Sequence, residues 1–479
     1  MDQQPWQPPP KNFPTRRKGT GVWSWYKNRS LQVNIGLGCG IIIVLLSYFS
    51  YLDSLIRSTN NAKTSTAAST QRQTPTMSMP TITWTPINAS FPGLADTTSN
   101  IHVALPFDFN TTPTAMAGKV DMVWGTNWAR SLPGSVYSLF YVPYDRDENT
   151  NDYPPAHDIS WYKANHPDWI EYQCDKSAVA YEFGTTTSVP LDITNPAVIS
   201  YIEETYITPN LQPGSGYNGI GFDNLDFENA GDWTGQRCGH FDVNGTWVQQ
   251  FNGTANDSAY RQSVLTWAQT MHSFIRTHFP NATMAVNFSY NPKFSPDSNA
   301  LSNYVDFYID EQGFTNGNSA SLANPASWYY TDATWLGKMN WVQNALKLKR
   351  GFFSVNQEPV PFAKVTDNQI QWVLANYLLV KNNASFVYIC GEQEYGHLFI
   401  RAEYAAQIGY PLNAMYKIQN VYMRNFTNGI VIVNPSSANT YSVQLSGSVY
   451  KDLYGKYAGS QITIPAHSGL ILIHPSGSG

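Results

Sequence analysis

Charge is scarce in this chain. Acidic and basic residues together make up 13% of its 479 positions, less than the 14% that are aromatic, and the formal net charge is −5. No basic field is present to hold nucleic acid, so that class of partner is set aside. Cysteine is scarcer still. The four are Cys39, Cys174, Cys238 and Cys390, with no Cys-x-x-Cys among them, so a cysteine metal site has no ligand spacing to build on. Cys39 lies in an apolar run. Cys174 and Cys238 either pair outside the cell or stay as buried thiols. A Gly-x-Ser-x-Gly elbow, a Walker loop and a His-Glu-x-x-His pair are all missing, and the nine histidines do not cluster at ligand spacing. Serine-hydrolase, P-loop and zinc-protease chemistry therefore lack their usual marks. No metal and no cofactor is expected.

What is present begins with a membrane pattern. Residues 1–30 carry Lys11, Arg16, Arg17, Lys18, Lys27 and Arg29 against one acid, Asp2. Residues 31–52 hold no charge and are long enough for one membrane helix. The basic excess ahead of this run predicts a cytoplasmic N-terminus, with the remainder of the chain outside the cell membrane. A cleaved signal peptide is the alternative. The long basic segment and the lack of a small-x-small site soon after the run argue against it. Residues 53–99 are dominated by Ser, Thr, Asn, Ala and Pro and cannot bury enough apolar surface to offset chain entropy, which predicts a flexible spacer.

From residue 100 to 407 short apolar runs alternate with helical segments, the pattern of repeated βα units. Eight runs read as strands: Val120–Gly125, Ser138–Tyr144, Trp169–Cys174 (or Ala178–Phe183), Gly219–Asp223, Met284–Tyr290, Val305–Glu311, Gly351–Gln357 and Ser385–Cys390. Ile101–Phe107 is a ninth candidate, an N-terminal addition. Asn195-Pro196 reads as a helix start, and Thr366-Asp367-Asn368-Gln369 as a capping box. Tyr260, Val264, Met271, Phe274 and Ile275 share a helical face. Eight strands with crossovers favour an α/β fold of the (β/α)8 TIM-barrel type over an open sheet. Residues 408–475 turn into short strands separated by Ser, Gly, Asn and Pro, a small all-β module of the sandwich type.

The chemistry is expected at Gly219-Ile220-Gly221-Phe222-Asp223, the fourth strand. Alternation puts Gly219, Gly221 and Asp223 on one face. If that face points inward, the glycines leave room below Asp223 for a ligand, and Asp223 sits at the carboxyl end where barrel enzymes work. Asp226 and Glu228 read better as structural acids. The sixth strand ends in Asp310-Glu311, and a carboxylate from each of two strand ends is what glycoside hydrolysis needs. Parity does not choose between the two; Glu311 is preferred because it lies further toward the mouth. The expected catalytic pair is Asp223 and Glu311. Trp124, Tyr144, Asp226, Asn287, Tyr290, Asp310 and Gln357 are expected to bind substrate, since acids, amides and rings suit sugar hydroxyls and ring faces. Tyr141, Asp145, Arg146, Asn356, Glu358, Glu392 and Glu394 add to the strand ends.

Pro190-Leu191-Asp192-Ile193-Thr194-Asn195-Pro196, Gly219-Ile220-Gly221-Phe222-Asp223-Asn224, Asp310-Glu311, Asn434-Pro435-Ser436 and the ending at Pro465–Leu472 resemble a family of glycoside-hydrolase-like TIM-barrel proteins. That family is glycosyl-hydrolase-like family fifteen, relatives of the endo-α-1,4-polygalactosaminidases. The resemblance covers roughly residues 100–475. It implies a microbial extracellular or cell-surface carbohydrate-active enzyme, with Asp223 as nucleophile and Glu311 as acid/base. Two functions follow for testing. One is a membrane-anchored extracytoplasmic glycoside hydrolase acting on a polysaccharide or oligosaccharide. The other is a non-catalytic surface carbohydrate-binding or adhesion protein on a degenerate barrel. The separation of the two carboxyl groups, and whether one is tied up in a salt bridge, discriminate them.

Overall fold

The computed structural model describes residues 101–475, apart from 134–135, 149–156, 183–185, 187, 230–234, 316–329, 331 and 446–448. The basic tail, the apolar run at 31–52 and the 53–99 spacer lie outside the described residues. Among the described residues no helix is long and apolar enough to cross a membrane.

One sheet of eight parallel strands runs in chain order: Ala104–Pro106, Met122–Trp124, Tyr137–Pro143, Gly219–Asp223, Thr283–Asn287, Phe307–Asp310, Gly351–Gln357 and Ser385–Cys390. We number them barrel strands one to eight. The sheet closes, because Val103 bridges Val387 and the Val387 N–H donates to the His102 carbonyl at 2.9 Å. Sequential parallel pairing with crossover helices is the (β/α)8 arrangement.

Two expectations change. Ile101–Phe107 is no addition: it supplies strand one, which closes the barrel. Trp169–Cys174 is not a barrel strand. Trp169 ends a short 3-10 turn, while Tyr172 bridges Val179 and Gly239. The long connection between strands three and four builds its own small antiparallel layer, in which Arg146–Glu148 pairs with Ser188–Pro190. The two changes cancel, so Gly219–Asp223 is still strand four and Phe307–Asp310 strand six. Cys174 and Cys238 form a disulfide that ties this layer to the hairpin Gly239–Phe241/Trp247–Gln249 after strand four, and Cys390 is a buried thiol.

Side-chain parity sorts the barrel into two layers. Ile220, Phe222 and Tyr308 face the helices; Phe222 meets Trp267 of the Ser258–His278 helix edge-on at 4.8 Å. Leu139, Tyr141, Trp124, Phe307, Ile309, Phe353, Val355 and Tyr388 fill the barrel itself. Helix starts follow their chemistry. The Asn195 side chain accepts from the Ala197 N–H, with Pro196 next to it, and Thr366 with Gln369 forms a reciprocal capping box.

Downstream, an antiparallel six-stranded sheet (Tyr416–Ile418, Val421–Phe426, Gly429–Asn434, Ser468–Ile473, Tyr450–Asp452, Tyr457–Ala458) lies with a two-stranded one (Tyr441–Gln444 and Gln461–Ile464). It packs on the last barrel helix, Asp367–Val380, in which every residue from Ile370 onward is buried. A helix apolar on all sides needs a partner on each face. Gly469 makes the approach close, since a Cβ there would lie 2.6 Å from the Ala375 methyl. Arg424 donates to the carbonyls of Leu378 at 2.9 Å and Lys381 at 2.8 Å, satisfying the helix C-terminus.

Candidate active site

Strand four delivers Asp223 to the carboxyl end of the barrel, where its side chain faces the mouth. Contrary to the expectation above, the glycines beneath it do not leave room for a ligand. The Trp124 indole occupies that space, and its N–H donates to the Gly221 carbonyl at 3.1 Å. A Cβ on Gly221 would come within 2.4 Å of the ring nitrogen, so glycine is required for the indole to pack there. The site therefore has a solid aromatic floor.

Strand six resolves the parity question. Phe307 and Ile309 point into the barrel, so Glu311 emerges at the mouth, while Asp310 lies on the side of Tyr308, toward the helices. Asp310 is fully buried there and pairs with Lys338 Nζ at 2.7 Å. It also accepts from the Ser289 hydroxyl and the Gln312 N–H. It anchors the end of the strand beside Glu311 instead of reaching substrate.

Asn287, at the end of strand five, joins the two acids. Its Nδ2 donates to Asp223 Oδ1 at 2.6 Å and to Glu311 Oε2 at 2.7 Å. One amide group serving two acceptors holds their oxygens roughly 4–5 Å apart, because its N–H bonds diverge by about 120°. Each carboxylate also has its own tyrosine. Tyr141 Oη donates to Asp223 Oδ2 at 2.6 Å, and Tyr395 Oη donates to Glu311 Oε1. Asn224 and Arg146 complete the Asp223 shell at 3.0 and 3.3 Å. Five donor groups directed at two carboxylates are a costly construction that packing alone does not require.

The two acids differ electrostatically. Burial pushes the Glu311 carboxyl up to about 7, with the neighbouring Asp223 charge adding to the rise. Asp223 accepts from a guanidinium and three neutral donors. One group is thus set to carry a proton near neutrality, beside a second carboxylate held by donors. Behind Asp223 lies a buried charge network. Arg146 pairs with Glu148 at 2.6 Å and Glu182 at 2.8 Å; Arg237 pairs with Asp145 at 2.8 Å and Glu182 at 2.6 Å. These shorter contacts, not the one to Asp223, are the principal partners of Arg146. Arg237→Met leaves Asp145 and Glu182 without this partner in the interior. It is expected to cost about 3–5 kcal/mol in urea denaturation. A loss below about 1 kcal/mol would show that the network does not hold this wall.

Three of the seven non-glycine residues with positive φ among the described residues sit at the same mouth. Phe107, Asn224 and Gln393, after strands one, four and eight, have φ of 62°, 57° and 59°. Non-glycine residues seldom adopt this region, at a cost of about 1–3 kcal/mol each, and such residues cluster at functional sites.

No protein-family model matches this chain, and no curated protein matches it. Solved structures overlap it in part. Eubacterium rectale Amy13B does so with a TM-score of 0.43 and 10% identity, over 80% of this chain and 97% of that one. A noncanonic maltogenic α-amylase, AmyB from Thermotoga neapolitana, gives 0.42 and 8%, over 80% and 100%. Bacillus licheniformis trehalose-6-phosphate hydrolase gives 0.44 and 9%, over 78% and 99%. At this level of overlap the fold is read from the strand order itself and the chemistry from the acid pair.

Of the residues expected to touch substrate, Asn287 lies between the acids, while Gln357 ends strand seven, largely buried, near the Gly391 carbonyl at 3.5 Å. Asp226 is half-buried; its carboxylate accepts from the Glu228 N–H at 3.0 Å, and burial raises its pKa to about 6. Three others are corrected along with Asp310. Trp124 is floor. Tyr144 is fully buried behind the sheet, hydrogen-bonded to the Tyr260 hydroxyl at 2.8 Å and edge-on to Trp267. Tyr290 is stacked on Trp341 and bonded to Ser295 at 2.8 Å. The strand-end positions of Tyr144 and Tyr290 suit a mouth, but their side chains turn into the helix layer. Tyr395 had no sequence signal beyond its place between Gly391 and Gly396 in the loop after strand eight.

Proposed function

We propose that this protein is a glycoside hydrolase that cleaves a polysaccharide or oligosaccharide by a two-carboxylate mechanism with retention of configuration. The observation that carries the reading is the Asn287 amide bridging Asp223 and Glu311. It implies a separation close to the about 5–5.5 Å of retaining enzymes, and too short for the water that inverting enzymes accommodate at about 6.5–9.5 Å. Asp223, held by Tyr141, Asn224, Arg146 and Asn287, attacks the anomeric carbon. Glu311, protonated near neutrality, gives its proton to the departing glycosidic oxygen. Water then attacks the glycosyl ester, Glu311 takes its proton, and Asp223 is released. Every atom in both steps is supplied by substrate, water and the two side chains.

The resemblance to glycosyl-hydrolase-like family fifteen and the polygalactosaminidase relatives supports the same class of reaction and the same pair of residues. The anchor at 31–52 and the Ser/Thr/Pro-rich spacer support a single-pass protein with its barrel outside the cell membrane. The disulfide between Cys174 and Cys238 fits an oxidising compartment. One observation favours the binding-protein alternative: Asp223 lies 3.3 Å from a buried guanidinium. That contact is also one of several donors that orient Asp223 beside Glu311, so it does not outweigh the bridged pair.

The test is to incubate the full chain with a polysaccharide panel and follow the released sugar by proton NMR. The first product is expected to carry the anomeric configuration of the substrate, followed by slow mutarotation. An inverted first product would sink the retaining assignment, and no release from any polysaccharide would favour the binding reading.

A further inference from the structure

A second feature of the mouth is a run of rings. Tyr395, the donor to Glu311, lies 5.9 Å centroid to centroid from Phe107, which stacks nearly parallel on Phe109 at 5.4 Å. Phe109 meets His397 edge-on at 6.5 Å, His397 lies 6.3 Å from Phe399, and Phe399 stacks on Phe362 at 4.2 Å. The rings come from the loops after strands one, seven and eight. All keep some exposure, and Phe109 is 38% exposed.

This row is built, not incidental. Phe107 is held at a strained φ of 62°, and the Phe109 N–H donates to the Gly396 carbonyl at 3.1 Å. A Cβ on Gly396 would lie 2.5 Å from the Phe109 ring, so the two loops close on each other only with glycine there. Contiguous rings left partly wet forgo the free energy of covering them, and such patches mark binding surfaces. Around Asp223 the mouth is polar: Asn224 donates to Asp223, and Glu148 lies beside Tyr141 and Arg146.

We infer that this row is an aromatic platform for a chain of pyranose sugars, carrying substrate outward from the acid pair toward Phe362. The occupant follows from continuity: the row begins at the tyrosine that touches Glu311. Pyranose rings present C–H groups to exposed aromatic carbon while their hydroxyls reach polar groups, and the partly exposed rings and the polar residues around Asp223 offer both. The inference rests on the glycosidase reading for its direction, and on the rings alone for the binding.

The experiment uses the full chain carrying Glu311→Gln, in affinity gels containing starch, dextran, xylan or chitosan. Phe109→Ala is expected to weaken retardation by the bound polysaccharide about tenfold, and Phe109→Tyr to preserve it. In the active chain, Phe109→Ala is expected to lower kcat/KM more steeply as the oligosaccharide lengthens. Equal losses at every length, or unchanged retardation, overturn the platform. So does a dimer that Phe109→Ala converts to monomer in light scattering, because a second copy then covers the rings. Should Phe109→Ala fail to fold, Phe109→Leu removes the ring face at similar bulk and reads the same way. If the unmutated chain hydrolyses nothing, yet Phe109→Ala still abolishes retardation, the platform stands and the hydrolase reading falls.

Discussion

Asp223→Asn is expected to lower kcat on the order of 10⁴-fold while leaving near-UV circular dichroism unchanged. Asparagine is nearly isosteric: its oxygen in the Oδ1 position still accepts from Asn287, and its amide group in the Oδ2 position can donate to the Tyr141 hydroxyl, so the mouth is not remodelled. What disappears is the negative oxygen that forms the glycosyl ester. A loss smaller than about tenfold would mean that another group attacks, and Glu148 would be the next candidate, since Tyr141 and Arg146 approach both carboxylates. The comparison with Arg237→Met separates chemistry from architecture, because that change should lower stability first.

The second large effect concerns Glu311 and is read from pH. The acid must enter the reaction protonated. Its carboxyl is raised to about 7 by burial first and by the Asp223 charge second. Below that pH the proton is in place; as pH rises through about 7 it is lost. The alkaline limb of kcat/KM is therefore expected near 7, and Glu311→Gln is expected to remove it along with about 10²–10⁴-fold of the rate. Tyr395→Phe gives the sign test. The tyrosine donates to the ionised carboxylate and pulls the pKa down, so losing it raises the pKa further. The limb should move to higher pH in Tyr395→Phe. A limb that stays in place would show that Glu311 is not the group being titrated.

The barrel was legible because strands four to eight carry long apolar runs with acids or amides at one end. Strand one was harder. Only Ala104–Pro106 pair with strand two, and nothing in three residues shows which edge they close. Trp169–Cys174 misled for the opposite reason. It is as apolar as a strand because it lines a layer of its own, in which Tyr172 reaches Gly239. Asp223 could be read from Gly-x-Gly-x-Asp, since parity ties the acid to the glycine face. Parity alone did not separate Glu311 from Asp310, because the partner that claims Asp310 is Lys338, on the helix that follows strand six. Trp124 and Tyr144 failed alike. Composition shows that a ring stands at a strand end, but whether it faces solvent, floor or helix depends on the space that glycines and neighbouring helices leave. Tyr395 was invisible, since a loop has no period.

The Asp367–Val380 helix has a consequence for how this protein can be divided. It is wrapped by the barrel on one flank and by the β sheets on the other, with Gly469 seated at Ala375 and Arg424 closing its end. The two halves therefore share a wall instead of meeting at a seam. Heat or denaturant should take both in one transition, because neither can release the helix without stripping the other. Selection or engineering can alter loops at the mouth more readily than the β module, which behaves as the last layer of the barrel itself.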